Sequence, residues 1–155
     1  MMRTLVRGAL AGAAGTTALN AVTYADMAVR GRPSSSAPED TVDTLAAKAG
    51  LDVPGEGETR ESRLTGLGAL SGIAVGTGVG TAVAVMRAAG VRMPLWAGGA
   101  LVGALAMAAT DLPMARLRIS DPRTWSTADW VSDAVPHLIY GLVTYGMVRT
   151  AERRA

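Results

Sequence analysis

The chain has 155 residues, 49% of them hydrophobic and 18% charged, with a formal net charge of +2 and no cysteine. The missing cysteines rule out disulfides, thiolate catalysis and Cys-based zinc sites. A balance this close to neutral, with no basic stripe interleaved with aromatics, argues against a nucleic-acid surface.

The charges sit between long apolar runs, at about 8–29, 64–86, 93–111 and 129–148. A hydrocarbon core roughly 30 Å thick needs about 20 helical residues, and each run meets that length. The even alternation of a barrel strand is absent from all four. The predicted fold is therefore all-α, an integral membrane four-helix bundle forming a single membrane domain over residues 1–155. A soluble Gly/Ala-rich bundle is the rival reading, but its helices need polar faces, and residues 64–86 carry no ionisable side chain.

In the first run, Arg3 and Arg7 precede an apolar stretch, as in a signal peptide. Thr16, Thr17 and Asn20 interrupt that stretch and three further runs follow, so a retained first helix is expected. The 30–63 segment is too long for a plain connector. Ser34, Ser35 and Ser36 lead into Pro38, Glu39 and Asp40, a helix start with acids in its first turn. Val42, Leu45, Ala46 and Ala49 then fall on one face, and Gly50 is placed to end the helix. The expectation is a short amphipathic helix over 38–49, lying on the membrane surface or on the bundle. Pro54-Gly55-Glu56-Gly57 reads as the turn back to the second run.

In the second run Gly68, Gly72, Gly76 and Gly80 recur every four residues, giving three overlapping GxxxG steps on one face. Such a glycine zipper lets another backbone approach closely. Gly8, Gly12 and Gly15 in the first run, or Gly99 and Gly103 in the third, are candidate mates, and packing within the chain is favoured over a homo-oligomeric zipper.

In the fourth run Asp133, His137, Tyr140 and Thr144 share one stripe, which Asp129 extends outward, while Val131, Val135, Leu138 and Leu142 form the opposite face. Ser126 and Asp129 look like a helix-starting box, and Trp125 and Trp130 suit the headgroup level. Pro136 leaves the carbonyl at position 132 without its usual helical donor. Counted inward from the same side, Asp26 lies about as deep as Asp133 and Asn20 about as deep as His137, while Asp111 closes the third run. The expected polar cluster is Asn20, Asp26, Asp111, Asp133, His137, Tyr140 and Thr144. Its functional reading is a proton or cation site; its structural reading is a set of interfacial and helix-tying hydrogen bonds. One histidine is too few for metal catalysis, and no Ser-His-Asp or lysine nucleophile pattern stands out. No enzyme activity, catalytic residue, metal or cofactor is expected.

Orientation follows from the basic residues. Arg3, Arg7, Arg87, Arg92, Arg149, Arg153 and Arg154 face a single acid, Glu152, on one side, whereas acids dilute the other side's loops. Both termini are therefore expected in the cytoplasm.

The Gly/Ala-rich first run, the Pro-Glu-Asp loop helix, "GLGALSGIAVGTGVG" at 66–80 and "DWVSDAVPHLIYG" at 129–141 together resemble uncharacterised small four-span bacterial inner-membrane proteins. That resemblance implies a membrane location and no known reaction. The dominance of Arg over the single Lys48, with abundant Ala and Gly and no Phe, also fits a GC-rich bacterial genome. The expected role is an accessory or packing component, with the lipid bilayer and a membrane-protein partner or second copy as partners. The alternative is a proton- or cation-linked permeation protein using the fourth run's polar stripe.

Overall fold

The computed structural model describes residues 1–153, with side chains as far as Ala151; Arg154 of the basic tail lies outside the described residues. Helix α1 spans Met2–Arg30, α2 Ala37–Lys48, α3 Gly57–Ala88, α4 Leu95–Arg116 and α5 Thr127–Arg153, with one turn of 3-10 helix at Pro122–Thr124. No strand occurs among the described residues.

The helices run past the apolar runs that announce them. Helix α3 starts at Gly57, two turns ahead of residue 64, so that Arg60, Glu61 and Arg63 lie on its projecting end. Helix α4 continues through Pro113 to Arg116. Local chemistry sets the boundaries. Ser126 Oγ accepts from the Asp129 N–H at 3.2 Å while the Asp129 carboxylate accepts from the Ser126 N–H at 2.9 Å, a reciprocal box that opens α5. Helix α2 ends where the Leu51 N–H donates to the Ala46 carbonyl and the Gly50 N–H to the Ala47 carbonyl. That closure puts Gly50 at φ 70, a left-handed conformation natural to glycine. Helix α4 closes in the same way on Arg118, whose φ of 60 is costly for a residue with a Cβ.

Across the bundle the order is α3, α1, α5, α4. Helix α1 packs between α3 and α5, α4 packs on α5, and α3 and α4 touch little, while α2 rides on α3. Glycine closes the seams. A Cβ on Gly8 would stand 2.7 Å from the Thr81 Cα, and one on Gly80 would stand 2.5 Å from the Gly8 carbonyl oxygen, so the α1 and α3 backbones are in direct contact. Between α4 and α5 a Cβ on Gly103 would lie 2.6 Å from the His137 carbonyl oxygen. The largest fully buried side chains are Tyr140, Tyr145, Val102 and Thr144.

Large aliphatic residues point the other way. Leu10 on α1, Leu70 and Ile73 on α3, Leu101 and Leu105 on α4, and Val131 and Val135 on α5 are all exposed. Helices α3 and α4 are long and apolar enough to cross a membrane. Among the described residues α1 and α5 do not reach that measure. Thr16, Thr17, Asn20 and Asp26 dilute α1; Asp129, Asp133, His137 and Thr144 dilute α5. Four apolar crossings are thus an expectation that composition supports for two helices.

Candidate functional site

The buried polar chemistry of the described residues lies on α5 and on what faces it. His137 is partly buried, and its Nδ1 lies 2.9 Å from the Asp133 carbonyl oxygen and 3.3 Å from the Asp133 Oδ1. The spacing of four residues stacks the two side chains on one helix face. From α4, Asp111 is 7% exposed and faces both Asp133 and His137 across the seam. Thr110 donates to Asp111 Oδ1 at 3.4 Å. The Asp133 Oδ2 is buried with no hydrogen-bond partner, as is Glu39 Oε2 on α2. Two carboxyl groups and an imidazole therefore meet at one end of the α4/α5 seam.

The rest of the stripe does different work. Tyr140 OH donates to the Gly76 carbonyl on α3 at 2.6 Å, and Thr144 Oγ1 donates to the Ala11 carbonyl on α1 at 3.4 Å. Gly15 makes room for both, since a Cβ there would run into Thr144 and Tyr140. These two hydroxyls tie α5 to α3 and α1. They do not join the carboxyl cluster.

Asp26 also stays apart. Its carboxylate is held by Arg30 Nε and by Arg32 Nε, each at 2.6 Å, and Arg30 reaches on to Ser132 at the start of α5. The hydrogen bond to Asp26 raises the Arg30 guanidinium further above its ordinary pKa. Asn20 is partly buried on α1. The sequence places Asp26 at the depth of Asp133, but height along a helix does not fix the direction a side chain faces, and two arginines in the following turn claim this one.

The glycine stripe on α3 is also unequal. Gly76 and Gly80 meet α1, and Gly68 meets α2, where a Cβ would lie 3.2 Å from Pro38 Cβ. Gly72 is the correction: a Cβ there would meet nothing within 4 Å, so it belongs to no helix contact. Helix α3 has different partners at its two ends, α2 and α1, and Gly72 falls in the gap between them.

Sequence reasoning missed one feature, at the opposite end of the bundle. Tyr145 OH donates to the Met93 carbonyl at 2.8 Å and accepts from the Met93 N–H at 2.8 Å and from Arg87. The Arg87 guanidinium also stands 4.8 Å from the centre of the Tyr145 ring, and Arg87 is 6% exposed. One hydroxyl thus uses its single proton and both lone pairs to join the end of α3, the segment leading into α4 and α5. Gly98 admits the ring, because a Cβ there would overlap it. No local signal marks this hub, since its parts come from three distant stretches of chain and Arg87 reads as one more basic residue flanking a helix.

No family model, curated protein or solved structure matched the chain. The residues are therefore the whole basis for assigning a role. Among the described residues no group of three or more His, Cys, Asp or Glu is arranged to hold a metal ion.

Proposed function

We propose that the chain is a four-span protein of the bacterial inner membrane, with both termini cytoplasmic, acting as an accessory or packing component rather than as a catalyst. One observation carries the reading: only 22% of the most apolar stretch of α3 and 33% of that of α4 is buried. The central helix of a soluble protein turns such a stretch inward, whereas these helices bury Gly76, Gly80, Gly98, Gly99 and Gly103 and expose Leu70, Leu101 and Leu105. That inversion suits a lipid solvent, where small residues drive helix contact by close approach and large aliphatic ones meet acyl chains. Arg7, Arg87, Arg92 and Arg149 gather near one end of the bundle, which supports a cytoplasmic assignment for that end. Glycine seams at backbone contact leave little room for a passage along α1/α3 or α4/α5. The void beside Tyr145 between α3 and α4 has a volume near 10 Å³, space for about one water.

The test has two parts. Alkaline carbonate extraction should leave the protein in the membrane pellet, and reporter fusions should place residues 1–7 and 149–155 in the cytoplasm and 30–63 outside. Purification in mild detergent should then recover a protein partner in fixed ratio. A protein released by carbonate, or a reporter after Arg149 that is active only in the periplasm, overturns the reading.

A second reading, proton- or cation-linked permeation, draws on the Asp111, Asp133 and His137 cluster, because ionisable side chains gathered at membrane depth mark proton and ion pathways. Purified protein reconstituted alone into vesicles should then carry a proton or monovalent-cation flux that Asp133→Asn abolishes. No flux above empty vesicles leaves the accessory role.

A further inference from the structure

Helix α2 does not lie flat on α3. Between them and the connecting segment 49–56 runs a groove with a volume near 550 Å³, within the range of about 300–1,000 Å³ usual for small-ligand sites. Its walls are carbon: Val42, Ala46, Leu51, Val53, Leu67 and Leu70. Gly66 forms part of the floor, and a Cβ there would meet nothing within 4 Å. Leu51, Leu67 and Leu70 remain exposed although the groove shelters them on one side.

Charge is arranged at one end only. Arg60 is met by Asp43 at 2.6 Å and by Asp52 at 3.9 Å. Arg63, at the mouth, donates to the Pro54 carbonyl at 2.6 Å, a neutral acceptor, and makes no ion pair among the described residues. Asp52, the other charged residue lining the mouth, has a largely exposed side chain turned toward Arg60. Going down α3 from Arg63 to Leu70 covers about 10 Å, and over that distance the groove-lining residues of the helix pass from Arg63 at the mouth to Leu67 and Leu70 in the apolar run. A cation above and an apolar channel below match an anionic phosphodiester above an acyl chain.

We propose that this groove is a binding site for one anionic glycerophospholipid, with an acyl chain along Leu67 and Leu70 and its phosphate at Arg63. The proposal rests on the membrane reading, because it sets the groove at the interface between headgroups and hydrocarbon. The groove would then hold lipid as a fixed part of the structure, distinct from the exchanging lipid around the outer faces.

The test uses the full chain, first shown to resist carbonate extraction, so that failure of the membrane reading is seen separately. The protein is reconstituted in phosphatidylcholine vesicles containing a trace of phosphatidylglycerol with a photoactivatable acyl chain, and the crosslinked residues are mapped. Crosslinks should concentrate on residues 42–54 and 63–70. Gly66→Leu starts from a Cβ that meets nothing within 4 Å, fills the floor of the groove and should lower them by about tenfold or more. Arg63→Gln should retain crosslinking to a phosphatidylcholine probe while losing the preference for phosphatidylglycerol. Crosslinks spread evenly over the exposed faces of α3, α4 and α5 and unchanged by Gly66→Leu overturn the proposal. So does a protein that crosslinks through this groove to a second copy instead of to lipid.

Discussion

Gly80→Ala is the sharpest probe of the α1/α3 seam, because the atoms in the way belong to backbone. The added methyl would lie 2.5 Å from the Gly8 carbonyl oxygen and 2.6 Å from both the Gly12 Cα and the Gly12 nitrogen. Comfortable contact begins near 3.5 Å, so the two helices must separate by about 1 Å, a gap that forfeits much of the attraction along the seam. Overpacking of this kind costs about 1–3 kcal/mol, and a rigid obstacle places it toward the upper part of that range. Alanine recovers up to about 1 kcal/mol as a better helix former, at either position. Gly72→Ala has the same propensity gain and no clash, since its Cβ meets nothing. The two variants should therefore differ by about 2–3 kcal/mol, or roughly 5–10 °C in Tm for a chain of this size. Thermal unfolding followed by circular dichroism in mild detergent reads this directly. Equal Tm values for the two variants, or a Gly80→Ala protein more stable than the native chain, would refute backbone contact as the basis of the fold.

Tyr145→Phe withdraws an acceptor from Arg87 and both hydrogen-bond partners from Met93, and should cost about 2–3 kcal/mol while opening the 89–93 turn to limited proteolysis; a variant with native Tm and an intact turn counts against the hub. Arg118→Gly relieves a left-handed residue and should raise stability by about 1 kcal/mol, visible as an upward shift in Tm, and a fall would mean that the arginine side chain holds something the strained backbone conceals. Asp26→Asn removes the partner of Arg30 and Arg32 at a partly exposed position on the rim of the bundle, so the change in Tm should be small at low salt and vanish at high salt; a large, salt-independent loss would place Asp26 inside the bundle's polar machinery.

The elements were legible where a repeat or a cap announces them. Apolar runs marked the four long helices, Pro38-Glu39-Asp40 and Gly50 marked α2, and Ser126 with Asp129 marked the start of α5. The four-residue spacing put His137 beside Asp133 with no further information. Contacts that depend on how helices face each other were not legible. Gly72 shares the period of Gly76 and Gly80, but its face falls between the α1 and α2 contacts, and periodicity cannot say where a partner helix ends. Asp26 matched Asp133 in depth but was taken by arginines four and six residues later. Tyr145 lies in an apolar run and Arg87 at a helix end, with nothing local to link them; their pairing depends on a Gly98 gap that only the folded chain brings opposite. The polar content of α1 and α5 is visible in the sequence, and it keeps them below the apolarity that α3 and α4 reach.

The arrangement of the long helices also bears on the order in which the chain is assembled. Helix α4 leans almost wholly on α5 and scarcely on the helices made before it. As synthesis proceeds, α1 and α3 have all they need to pair through Gly8, Gly12, Gly76 and Gly80. Helix α4 emerges next with its glycine face turned toward a helix that does not yet exist. It must wait for the last 27 residues of helix, and a ribosome that stops short of them releases a chain whose α4 has nowhere to dock. Docking of the third long helix therefore depends on α5, and a protease that recognises unpaired helices would find its substrate in chains truncated after residue 126.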